Sequence, residues 1–203
     1  MEYRGGEERT TEMKLIDLKQ RINSLTPNWV ILLVVPGEQY FASNLNLLKT
    51  LIDELNLRGI YVTVNKPSSM LAKVFEQKGI EVDRLFFIDS VSKMAGICPE
   101  ETENCIYTDA PSNLTSLQIA IGESIKKVGG PNEEKFLLFD SLSTMLIYNT
   151  PDKVSKFSHL FITRLRKYGL NGVIICLERE QEQGFLDSIS LFCDETIKIE
   201  SAD

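Results

Sequence analysis

The stretch Trp29–Leu55, WVILLVVPGEQYFASNLNLLKTLIDEL, passes from an unbroken apolar run through a Pro-Gly turn into apolar residues at helical spacing. An apolar run without polar alternation is the pattern of a strand covered on both faces, as in a parallel sheet held between helices. Leu48, Leu51, Ile52 and Leu55 recur at three- and four-residue steps and predict the inward face of a helix. Ser43 or Asn44 is its expected cap, and Gly59 its expected stop. Strand, tight turn and long helix together have the outline of a phosphate-binding unit. The lysine such a unit needs is missing.

The same alternation continues downstream. IYVTV (Ile60–Val64) reads as a second strand, and PSSMLAKVFEQKG as a helix capped by Ser68 or Ser69 and stopped at Gly79. RLFFID (Arg84–Asp89) is a third strand, after which Ser92–Asn113 is irregular, longer than a compact domain usually carries without regular structure. A helix over Leu114–Val128, the strand KFLLFD, a helix over Asp152–Tyr168, and the strands GVIICLE and ETIKIE complete the series. Repeated strand-helix-strand order implies right-handed crossovers and a mostly parallel sheet. Upstream, residues 1–10 read as a disordered polar tail. Leu15, Leu18, Ile22 and Leu25 predict an amphipathic helix within residues 11–28, its apolar stripe covered by the chain's own core or by another chain. Residues 29–203 then form one domain.

Composition narrows the function. With 203 residues and 43% hydrophobic content the chain can bury a substantial core. A net charge of −7 leaves no basic stripe for a phosphate backbone, so nucleic acid is not an expected partner. The densest basic spot is Arg164, Arg166 and Lys167. No apolar run approaches the ~18 residues of a membrane span, and no secretory leader is visible, so the expected location is the cytoplasm. The four cysteines lack zinc-site spacing and are expected as free thiols. Cys176 and Cys193 read as small core residues, while Cys98 and Cys105 flank the acidic CPEETENC segment. His159, the single histidine, falls beside the stripe of Val154, Phe157, Phe161 and Leu165 and has no visible catalytic partner.

In open α/β sheets ligands bind beyond the carboxyl ends of the strands. After the first strand, a phosphate loop of the form GxxxxGK[ST] would use glycine backbone N–H groups, a lysine and a hydroxyl to hold phosphates and magnesium. The corresponding residues are Pro36, Gly37, Glu38, Gln39, Tyr40, Phe41, Ser43 and Asn44. If Val34 takes the first glycine's place, Tyr40 and Phe41 replace Lys and Ser/Thr; if Gly37 does, Ser43 and Asn44 replace them. Tyr40 or Phe41 is expected to fill the space a triphosphate would need, and Glu38 adds charge of the wrong sign. After KFLLFD, Asp140 and Ser141 have the form of a metal-presenting strand end. The competing and preferred reading of Asp140 is a cap for a helix beginning near Ser141.

By its order of pieces the chain resembles the RecA-like ATPases, and within them the KaiC-like branch. GIYVTVNKPSSMLAKVFEQKGIEVDRLFFIDSVS, KFLLFDSLSTML and GLNGVIICLEREQEQGFLDSISLFCDETIKIE carry the resemblance. It implies a three-layer αβα sandwich with a mostly parallel sheet. It also implies a pair of catalytic glutamates at the end of the second strand, where this chain has Asn65 and Lys66. Neither can act as a carboxylate base. Glu178, Arg179 and Glu180 fall in a region that in the family reaches a neighbouring subunit or senses nucleotide; the competing and preferred reading is a solvated loop. The expectation is a catalytically inactive domain, without cofactor, that binds a protein partner or its own kind. The alternative is a weak, unconventional nucleotide binder in which Asp140 holds magnesium and Lys66 approaches the phosphates of ATP.

Overall fold

The computed structural model describes residues 10–13, 18–97, 102–130, 133–179 and 183–200. Eight strands form one sheet: β1 Thr10–Met13, β2 Val30–Val35, β3 Arg58–Thr63, β4 Leu85–Asp89, β5 Cys105–Tyr107, β6 Lys135–Asp140, β7 Asn171–Leu177 and β8 Glu195–Ile199. Their spatial order is β1-β8-β2-β7-β6-β3-β4-β5, and every neighbouring pair is parallel. The helices are α1 Leu18–Asn23, α2 Tyr40–Lys49, α3 Ser68–Gln77, α4 Leu114–Lys127, α5 Leu142–Tyr148, α6 Pro151–Tyr168 and α7 Gln183–Ser190.

The apolar run of β2 is buried at every residue, and alternate side chains enter two separate cores. Val30, Leu32 and Val34 pack with α4, α5, α6 and α7 on one face. Ile31, Leu33 and Val35 pack with α1, α2 and α3 on the other. A strand buried on both faces has no polar side to present, which explains the absence of alternation. The molecule is a three-layer αβα sandwich of the RecA type, as the resemblance implies.

Several local expectations are corrected. In place of a helix through residues 11–28, Thr10–Met13 forms an edge strand on β8, and among the described residues α1 covers Leu18–Asn23; residues 1–9 and 14–17, with Leu15, lie outside the described residues. Leu18 and Ile22 are buried in the chain's own core. Ser43 and Asn44 do not cap α2. The Pro-Gly turn opens a single 3-10 turn, Gly37–Gln39, which runs directly into α2 at Tyr40, so both residues become buried interior positions of the helix. Gly59 does not stop this element either. The helix widens to a π-helical turn over Thr50–Glu54, Asn56 takes the left-handed conformation at φ 57°, and Gly59 lies within β3. The irregular segment after Ser92 contains the short edge strand β5.

Candidate functional site

Thr63, the last residue of β3, lies in register with Asp140 on one side and Asp89 on the other. The sheet thereby brings two buried carboxylates to its carboxyl edge, 1% and 0% exposed respectively. Their surroundings differ.

Asp140 is held by side chains. The hydroxyls of Tyr40 and Tyr61 both donate to its carboxylate. The amide of Asn44 donates to Oδ2 at 3.2 Å, and that of Asn65 to Oδ1 at 3.1 Å. These donors also contact one another: Asn44 Nδ2 reaches the Tyr61 hydroxyl at 2.6 Å, and Asn65 Nδ2 reaches the Tyr40 hydroxyl at 2.8 Å. Thr144 on α5 donates to Asn65 Oδ1 and lies 3.1 Å from Ser141 Oγ, which brings Ser141 into the same network. The Asp140–Ser141 peptide is cis. Among the described residues no helix N–H binds the Asp140 carboxylate, so its expected capping role is corrected: α5 starts after Ser141 without a side-chain cap.

Burial raises the pKa of Asp140, and the hydrogen bonds from Tyr40, Tyr61, Asn65 and Asn44 only partly offset it. Burial and then the Asp140 charge push both tyrosines well above the ordinary phenol value, which keeps them protonated donors. Asn44 Oδ1 and Ser43 Oγ are buried without a hydrogen-bond partner among the described residues.

Asp89 is held by backbone. Its carboxylate accepts N–H groups from Ser68 at 2.7 Å, Val91 at 2.8 Å and Ser92 at 2.9 Å, and the Ser92 hydroxyl at 2.7 Å. Burial pulls its pKa upward, yet these four bonds outweigh burial and leave it below the usual carboxylate range. Asp89 therefore supplies the acceptor at the start of α3 that the sequence pattern assigns to Ser68 or Ser69. The Ser68 hydroxyl lies 3.6 Å from Cys105 Sγ, and burial raises that thiol's pKa.

The remaining candidates are more dispersed. Phe41, the alternative filler of the turn, is 39% exposed, and Lys66 Nζ stands 5.9 Å from its ring centroid; Tyr40 is the residue that points inward. Glu38 is exposed and Gln39 half-buried, with Gln39 Nε2 donating to the Glu200 carbonyl at 2.5 Å. Glu178 N–H bonds the Val35 carbonyl at 2.8 Å, and Glu180 lies outside the described residues. His159 is exposed and packs 4.6 Å from the Phe192 ring. Cys176 is buried and Cys193 partly so, with burial raising the Cys193 thiol to about 12; Cys98 falls outside the described residues. Tyr61 was missed in the sequence because it reads as one more apolar residue of a buried strand; only its partners reveal a polar role.

A parallel sheet between two helical layers, with an aspartate closing the central β6, is an α/β fold of the RecA type. Within it the chain belongs to the family described as "Family of unknown function (DUF7504)", which matches residues 46–199. No curated protein matches the sequence. Among solved structures, the uncharacterized protein PH0321 from Pyrococcus horikoshii, crystallised in complex with an unknown peptide, is similar with a TM-score of 0.67 and 16% identity, covering 94% of this chain and 85% of that one. The KaiC-like protein PH0186 from Pyrococcus horikoshii OT3 is similar with a TM-score of 0.59 and 12% identity over 85% of this chain and 72% of its own. At these identities the likeness is one of fold.

Proposed function

We propose that this chain is a non-hydrolysing KaiC/RecA-like domain that acts as a binding, scaffold or regulatory module. The observation that carries this reading is the Tyr40 hydroxyl on the Asp140 carboxylate. In the register that gives Val34 the first glycine's place, Tyr40 is the aromatic residue at the lysine position, and it is turned onto the group that would present a metal. Together with Tyr61, Asn44 and Asn65 it leaves Asp140 fully engaged with its own chain. The group a nucleotide site would need here is Mg-ATP, and the donor set does not fit it: Pro36–Asn44 contains no lysine, and no carboxylate stands at residue 65 or 66. The competing reading, weak nucleotide binding through Asp140 and Lys66, requires Asp140 to exchange four internal donors for a metal. The peptide described with PH0321 favours a protein or peptide as the partner.

Phosphate release from ATP and GTP, followed over hours with magnesium, is expected to stay at background, and calorimetry is expected to give no heat of nucleotide binding. Turnover abolished by Asp140→Asn would overturn the reading.

A further inference from the structure

We infer that the groove between α4 and α6 is a docking site for an acidic, amphipathic helical segment of a partner protein. This deepens the binding-module reading above and rests on it. The groove encloses about 1010 Å³ on the outer side of the helical layer, away from Asp140. Thr115, Ile119, Gly122, Glu123 and Lys126 recur at helical spacing along α4, and Lys153, Lys156, Leu160, Arg164 and Lys167 do so along α6. Two outward stripes therefore face the same trough.

Apolar side chains lie open on both walls: Ile119 is 57% exposed, Leu160 62% and Tyr168 46%. Between them, Gly122 keeps the floor clear. A Cβ at that position would meet only Arg164 Nη1, at 3.5 Å, so close packing does not demand glycine. A glycine inside a helix costs about 1 kcal/mol relative to alanine. The Arg164 guanidinium is anchored across the floor by donating to the Gln118 carbonyl at 2.6 Å, and Gln118 Oε1 is buried without a partner among the described residues.

Charge selects the occupant. The chain as a whole is acidic at −7, yet this groove collects Lys126, Lys153, Lys156, Arg164 and Lys167 against Glu123 alone. One of these cations, Lys156, is shared with the exposed Asp152 at 2.8 Å. A cationic, apolar trough within an acidic molecule complements an acidic segment with an apolar stripe. Its walls are helices whose backbone groups are already satisfied, so an extended peptide would find no strand edge to pair with. A helix carries its own backbone hydrogen bonds and needs only side-chain contacts. The concave shape argues against a flat anionic membrane.

The test is selection of a random displayed library of peptides, about 16 residues each, against the full-length protein, with affinities measured by fluorescence anisotropy. Enriched peptides are expected to carry apolar residues at i, i+3, i+4 and i+7 with Asp or Glu between them. Their affinity is expected to fall at least about tenfold with Leu160→Asp and with the double charge reversal Lys153→Glu, Lys156→Glu, as for truncation of a central contact. These side chains are exposed, so circular dichroism should report an unchanged fold. Peptides without acidic residues, or with equal affinity for the Leu160→Asp protein, would overturn the assignment. So would failure to enrich any peptide, or Leu160-dependent binding of phosphatidylserine vesicles instead. ATP turnover in the same preparation would overturn the non-hydrolysing reading and leave the groove measurement standing, which keeps the two separable.

Discussion

Asp140 and Asp89 flank the same residue, Thr63, yet depend on pH in opposite directions. The folded pKa of Asp140 is raised above its unfolded value of about 3.9, so its contribution to stability is fully present below that pH and is lost as pH rises through the folded pKa. The folded pKa of Asp89 is lowered, so its contribution is present above about 3.9 and is lost as pH falls through the folded value. Urea denaturation at about pH 3.5 and about pH 7 separates them. Asp89→Asn is expected to cost more stability at the higher pH, where the native carboxylate is ionised on its N–H donors. Asp140→Asn is expected to lose ground against the parent at the lower pH and gain on it at the higher. Tyr61→Phe removes a buried donor from the buried Asp140, and an expected loss of about 1–3 kcal/mol follows from leaving that carboxylate less satisfied. Equal urea midpoints for Tyr61→Phe and parent would mean that the hydroxyl contributes nothing net.

At the scale of elements, what the sequence reveals depends on how many periods a segment completes. β2, β6, β7 and α6 are long enough for their apolar patterns to define them as elements. α5 and α7, of 7 and 8 residues, complete barely two turns, and β5 has only 3 residues, so no pattern accumulates. Capping preference misled at Ser43 and Asn44 because both are good caps in isolation, and nothing local says that the Pro-Gly turn starts the helix earlier. Asn65 and Tyr40 were legible as departures from a motif, but their meeting at Asp140 depends on strand order, which no local pattern encodes. Gly59 is a similar case: it looks like a helix stop and is a packing requirement. A Cβ there would come within 2.1 Å of the Phe136 ring, its register partner on β6. Gly59→Ala is therefore expected to destabilise by about 1–3 kcal/mol through overpacking, measured by thermal or urea denaturation. At Gly172 the atom met first is the end of a Leu165 side chain, at 2.6 Å, which can turn away, and Gly172→Ala should cost less.

For the whole molecule, the N-terminal segment decides how the sheet edge is finished. The buried Leu18 and Ile22 show that the stripe of α1 is covered by its own core, so this helix gives no reason for self-association. It contributes in another way. Arg21 forms an ion pair with Glu195, which is 4% exposed at the start of β8, and the same β8 carries β1 on its open side. A chain beginning at Pro27 would lose both β1 and Arg21, leaving a buried carboxylate without its cation. Because the Arg21 side chain is 35% exposed while Glu195 is buried, the loss falls below the about 3–5 kcal/mol of a fully buried pair, and most of it comes from the charge left behind. The truncated chain is thus expected to unfold at markedly lower urea than the full chain. Glu195→Gln in the truncated background should recover part of the loss, since it removes the orphaned charge and leaves the missing apolar contacts of Leu18 and Ile22 unrestored. If Glu195→Gln recovers nothing, the effect of the segment lies in its apolar packing and strand pairing and not in the ion pair. Light scattering is expected to give a larger mass for the truncated chain than for the full chain, because removal of β1 and α1 bares the edge of β8 and the apolar surface under Leu18 and Ile22.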